Sequence, residues 1–189
     1  MVSTSKAKAP HLMQQTSEAL SMITDTLRTI FSVQAAEMRS HLKGGKLDPF
    51  LEEAASRYDL KQEKLNTMLS HYESDGLGST YRHNEQFAFV LRDASAPGRF
   101  RCQYFDRRGF FGHSTFNSVG DVLVELCDMG YTVPEPKCTV DVFSQTNDWL
   151  LGTQVTALVQ SVNSGNLTMA EADELYLAYK QDLHIADAA

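Results

Sequence analysis

RFRCQYFDRRGFFGHSTFNSVGDVLVELCDMGY, residues 99–131, decides how the chain is read, because within it the apolar pattern passes from strand alternation to helical spacing. Over residues 99–105, Phe100, Cys102 and Tyr104 fall on one face of an extended strand, and Arg99, Arg101, Gln103 and Phe105 on the other. One face is expected to pack while the other keeps its charge in water. Residues 86–92, QFAFVLR, read as a second strand, and Asp93 to Gly98 connects the two, which predicts an antiparallel hairpin. Asp106-Arg107-Arg108-Gly109 can close a turn, and residues 110–113 add a short third strand. Ser118 with Asp121 forms a capping box, so a helix over residues 119–129 follows, burying Val122, Leu123 and Leu126. Gly130 supplies its left-handed stop, and Tyr131 to Pro136 lead away as an extended connector.

Upstream the spacing is helical. Met13, Leu20, Ile23, Leu27, Ile30 and Met38 predict one long amphipathic helix over residues 10–42, stopped by Gly44 and Gly45. About thirty residues at about 1.5 Å each would span roughly 45 Å, more than a small core covers. Residues 12–42 are therefore read as a surface for a homodimer or another partner, or as a core helix folded back on its own chain or broken near Ser32. Asp48 and Pro49 open a short helix over residues 49–57 that buries Phe50, Leu51, Ala54 and Ala55. Asp59 caps a second, from near Lys61 to Asp75, that buries Leu65, Met68, Leu69 and Tyr72. The pair resembles a DNA-binding helix-turn-helix, with Leu60 plugging the turn. That resemblance implies that Lys61, Gln62, Lys64, Asn66, Thr67 and His71 lie on an outer face that reads phosphates and base edges. The plain alternative is helical scaffold. Residues 76–79 look like a linker or sharp turn and mark a plausible subdomain boundary.

Downstream the chain reverts to helix. Val140, Val142, Phe143, Trp149, Leu150, Val155, Leu158, Val159 and Val162 are consistent with a helix over residues 146–163, with Gly152 a weak point inside it. Thr168 and Glu171 form a capping box for a helix over residues 169–183 that buries Ala172, Leu175, Tyr176 and Tyr179. This αα-hairpin packs either on the rest of the chain or against another protein. The fold class is α+β: a helical region over residues 1–76, a ββα core over 77–136 and a C-terminal helical hairpin over 137–189.

Composition narrows the functional classes. Seventeen Lys and Arg against 24 Asp and Glu give a formal charge of -7, which argues against whole-surface attraction to nucleic acid but leaves room for a local basic patch. Cys102, Cys127 and Cys138 match neither a disulfide framework nor zinc spacing, so they read as reduced thiols of a cytoplasmic protein. No window has the run of about 18 apolar residues that a membrane span needs, and no cofactor or metal motif stands out. His113 beside Asp106 is the one pair that invites a general-base reading, but no activated nucleophile completes it.

Arg99, Arg101, Arg107 and Arg108, with Arg82 and His83, lie among Phe100, Tyr104 and Phe110. Such a group can clamp phosphates, engage acidic and aromatic groups of a protein, or simply keep a strand edge solvated. The corner of Tyr104, Phe105, Asp106, Gly109, Phe110, Gly112, His113 and Phe116, with the Gly130-Tyr131 ending, resembles small domains of phage and plasmid accessory proteins, including parts of the polyvalent proteins that travel with injected DNA. The resemblance covers about 35 of 189 residues and implies a role in managing a mobile element inside a host cell. The expectation is a non-enzymatic interaction protein that binds and modulates, chiefly by inhibiting, a host protein complex such as one handling nucleic acid or defence. Arg101, Arg107, Arg108, Phe110, Phe111 and His113 would be its contact. The alternative is a dimeric helix-turn-helix regulator.

Overall fold

The computed structural model describes residues 25–41 and 48–185. Helix α1 is Ile30–Ser40, preceded by a turn at Arg28 and Thr29. The first half of the expected long helix, over residues 10–24, and its Gly44-Gly45 stop lie outside the described residues. What is described is a core helix: Phe31 and Ala35 are buried against α2, Pro49–Asp75.

Helix α2 corrects the helix-turn-helix expectation. Asp48 caps it, accepting from the Phe50 amide at 3.0 Å with Pro49 in the first turn, but the helix then runs unbroken for 27 residues. No glycine or proline follows before Gly76, so nothing obliges the backbone to turn. Asp59 lies mid-helix and accepts from Arg39 of α1 at 2.8 Å. Leu60 and Phe50 point to solvent instead of packing. The second half buries Leu65, Met68 and Leu69 as expected, whereas Tyr72 is only partly buried.

Five strands form one antiparallel sheet in the order β4-β3-β2-β1-β5. They are β1 Thr80–His83, β2 Gln86–Arg92, β3 Phe100–Asp106, β4 Gly109–Phe116 and β5 Val133–Glu135. The β2–β3 hairpin matches the sequence reading; β1 and β5 do not appear in it. β1 joins β2 through a two-residue turn in which Asn84 takes a positive φ of 54°. The expected connector supplies β5, whose Pro134 is tolerated because β5 is an edge among the described residues. Between β3 and β4 the register shifts: Tyr104 faces Gly112 while Phe105 faces Phe110, so Phe111 is the extra residue of a bulge.

One face of the sheet, with Tyr81, Ala88, Val90, Cys102 and Tyr104, packs on α2 and on α3, Val119–Asp128. The Tyr81 hydroxyl donates to the Met68 carbonyl at 2.8 Å. The Ser118–Asp121 capping box is formed, and Gly130 follows at φ 86°. A side chain there would also meet the His83 ring, with Cβ 2.5 Å from Nδ1. Because α1, α2, α3 and the sheet share one core, residue 76 marks a turn and not a gap in packing.

The other face is not left wet. Phe87 and Phe105 are buried there against Trp149, with Phe89, Val140 and Phe143 beside them. The covering elements are α4, Thr139–Ser144, which the sequence reading missed, and α5, Asn147–Asn163, capped by Thr146. Helix α6, Met169–Asp182, returns along α5 from the Thr168–Glu171 capping box. The sheet is thus the middle layer between two sets of helices.

Gln62 fastens α1 to α2. Its Oε1 accepts from the Phe31 amide at 2.8 Å, and its Nε2 donates to the Leu27 carbonyl at 2.9 Å. Gln62→Ala leaves both groups without a partner and is expected to cost about 1–3 kcal/mol in urea unfolding, whereas an unchanged midpoint would show that α1 does not depend on this bond.

Candidate functional site

The six residues of the expected protein contact do not form one surface. Arg101 is half-buried on β3, its Nη2 3.3 Å from the Asp93 carboxylate. Asp93 is itself buried and accepts from the Ser95 hydroxyl at 2.6 Å, the Ser95 amide at 2.8 Å and Thr115 Oγ1 at 2.8 Å. These bonds, Ser95 first and then Thr115, with a smaller contribution from the Arg101 charge, hold Asp93 well below the usual carboxylate range. Arg101 therefore ties down the β2–β3 connection. Arg82 pairs with Glu135 at 2.5 Å, and Arg99 reaches the Thr115 carbonyl at 3.4 Å. Arg107 and Arg108 extend into solvent with loose partners, Glu85 at 3.6 Å and Asp106 at 3.4 Å.

Phe110 and Phe111 leave β4 on opposite faces of the sheet. Phe110 meets Trp149 edge-on at 5.0 Å, and Phe111 stacks on Tyr104 at 6.1 Å. His113 is exposed opposite Gln103, three residues along β3 from Asp106 and so roughly 10 Å away at the rise of a strand. The His113–Asp106 pair is not assembled, and Asp106 instead accepts from the Arg108 amide at 2.7 Å. Cys102 and Cys127 lie in the core, and burial pushes the Cys102 thiol up to about 12. Cys138 is exposed, and among the described residues no cluster of three or more potential metal ligands occurs.

The six residues of the nucleic-acid alternative are also dispersed around α2. Gln62 is buried, Lys61 lies 4.2 Å over the Phe31 ring and pairs with Asp128, and His71 sits edge-on to Tyr81. Asn66 accepts from Gln62 at 3.0 Å, and Thr67 bonds back to the Glu63 carbonyl at 3.1 Å. Only Lys64 and Thr67 of the six are exposed, beside Glu63, so no reading face of the expected composition exists.

What the structure does assemble is a corner cavity of about 750 Å³ between the start of β4 and the α5–α6 hairpin. Arg108, Phe110 and Phe111 form its strand side, and Val155, Val159 and Met169 belong to its helical side. Phe110, Phe111, Val159 and Met169 are each about half exposed or more, at 49, 51, 52 and 65%. Asp148 and Asp173 stand among them. Gly152 sets the geometry, since a Cβ there would be 1.7 Å from the Arg108 carbonyl oxygen. The apparent weak point of α5 is where its backbone meets the β3–β4 turn.

The helical half of this corner escaped the sequence reading. It assigned Leu175, Tyr176 and Tyr179 to the interior, but of the α6 residues named for burial only Ala172 is fully enclosed. A signal was present. Leu150 and Val159 on α5, and Leu175 and Leu177 on α6, are more apolar residues than one buried stripe per helix can use. No family model, curated protein or solved structure matches this chain.

Two outcomes follow from this geometry. Alanine in place of a mid-helix glycine ordinarily gains about 1 kcal/mol, but Gly152→Ala should cost about 1–3 kcal/mol because the contact is backbone on backbone; a urea midpoint raised by the substitution would contradict the close approach. For Asp93, a depressed folded-state pKa gives stability that is full above the unfolded value of about 3.9 and is lost as pH falls below it. Asp93→Asn should lower the midpoint at neutral pH, with the gap to wild type closing from about pH 4 downward, and a gap constant with pH would contradict the assignment.

Proposed function

We propose that the protein is a non-enzymatic interaction protein that holds a partner protein in the corner between β4 and the α5–α6 hairpin. The observation that carries the reading is the grouping of half-exposed Phe110, Phe111, Val159 and Met169 around one cavity. Half-exposed aromatic and methionine residues lining one concavity are characteristic of protein-binding surfaces, where burial of such anchors supplies most of the affinity. Arg108, beside Asp106, adds a guanidinium next to the apolar floor, suited to a backbone carbonyl of the partner. Compared with the sequence reading, the contact keeps Arg108, Phe110 and Phe111, leaves Arg101 to the Asp93 loop, and gains the C-terminal hairpin. The resemblance of residues 99–131 to phage and plasmid accessory domains supports a mobile-element protein whose partner is a host complex handling nucleic acid or defence. Its mechanism is steric occupation of that complex.

The test compares affinity capture from a bacterial host by wild type and by a Val159→Glu, Met169→Glu double variant of equal thermal stability. Both changes lie on exposed helical positions, so the fold is expected to survive. A stoichiometric partner held by wild type and reduced at least about tenfold in the variant is the expected result, a loss of about 1.4 kcal/mol or more. Equal capture by both would remove the corner as the binding site.

A further inference from the structure

Resting on that reading of the corner, we infer that the partner element is an extended segment alternating basic and apolar residues, added to β4 as a sixth strand with its end in the cavity. Three observations converge on this occupant.

The first is the β4 edge. β4 is a terminal strand of eight residues, and among the described residues no backbone group beyond its β3 partner pairs with it. The side-chain bonds to its carbonyls, Gln103 to Gly112 at 2.8 Å and Arg99 to Thr115 at 3.4 Å, come from β3 and the residue before it. The outer backbone groups are left to water or to an added strand, and a helix could not satisfy them.

The second is the contrast with the opposite edge. β5 is three residues long and carries Pro134, both of which discourage pairing. β4, GFFGHSTF, has no proline, lysine or carboxylate. Its one irregularity, the bulge at Phe111, lies at its start and leaves Gly112 to Phe116 in regular register.

The third is charge. Residues 139–182 hold six carboxylates, Asp141, Asp148, Glu171, Asp173, Glu174 and Asp182, against the single Lys180. The charged residues lining the cavity are Asp106, Arg108, Asp148 and Asp173; Arg108 lies 3.4 Å from Asp106, while neither Asp148 nor Asp173 is ion-paired among the described residues, so the acids outnumber the base. A cationic segment complements this rim. A second copy of the chain would set the same acids against one another, and a nucleic acid would bring phosphates to them.

The probe is an acetylated, amidated ten-residue peptide alternating lysine with valine or leucine, titrated into the isotope-labelled full chain. Three controls accompany it: glutamate in place of lysine, N-methylation of alternate amides, and the same composition rearranged to helical spacing. Amide shifts centred on Gly112 to Phe116 are expected. The lysine peptide should bind at least about tenfold tighter than the glutamate one. Asp148→Asn with Asp173→Asn should abolish that preference, and N-methylation should abolish binding. Equal binding by the helical-spacing peptide, shifts confined to other elements, a preference unaltered in the double variant, or dimerisation of the chain in place of peptide binding would each overturn the inference. If the lysine peptide fails while partner capture still depends on Val159 and Met169, only the strand-addition inference falls; if capture does not depend on them, the reading of the corner falls with it.

Discussion

Phe105 is wholly enclosed, its ring 5.2 Å from Phe87 and 6.0 Å from Trp149, on the face of β3 that also carries Arg101 and Gln103. Burying an aromatic side chain of this size contributes about 1.5–3 kcal/mol, and the cluster around it joins β2, β3, α4 and α5. That contact turns an open antiparallel sheet with one dry face into a three-layer structure. It also fixes where the C-terminal hairpin can go. With Trp149 seated on Phe105 and Phe110, the next turn of α5 meets the β3–β4 turn at Gly152. The rest of the hairpin lies beside the β4 end of the sheet, and the cavity is the space left between them.

Most of the elements were legible where local chemistry dictates them. Alternation in QFAFVLR and RFRCQYF specifies two paired strands, and the Ser118–Asp121 and Thr168–Glu171 boxes fix helix starts because each satisfies amides that would otherwise lack partners. The misreadings have equally local causes. Asp59 has the chemistry of a cap, but a carboxylate mid-helix can serve a long-range arginine instead, and Arg39 was too distant in sequence to foresee. β1 has only four residues, too few to establish a period, and β5 has three with a proline among them.

The site was half legible for a related reason. The arginines drew attention as charges, yet a charge says nothing of its partner until the fold supplies one, and Asp93 and Glu135 take Arg101 and Arg82. Phe105, placed by alternation on the charged face, belongs to a second core that exists only because α4 and α5 return to cover it. Phe110 stays half exposed at the open end of that core, and Phe111, the extra residue of the bulge, is half exposed on the opposite face. The apolar surplus of the hairpin and the β4 edge, unpaired among the described residues, then describe one feature from two sides: a place where these elements stop short of burying what they could.

The corner site exists only if the C-terminal hairpin belongs to the same cooperative unit as the sheet. Trp149 is the only tryptophan and lies at the contact itself, so its fluorescence reports hairpin docking while far-UV circular dichroism reports the whole fold. Urea unfolding followed by both signals should give coincident transitions, as for a single two-state unit. A Trp149 transition complete at lower urea than the dichroism would show that the hairpin detaches from an intact sheet, and would contradict the three-layer structure from which the corner site is built.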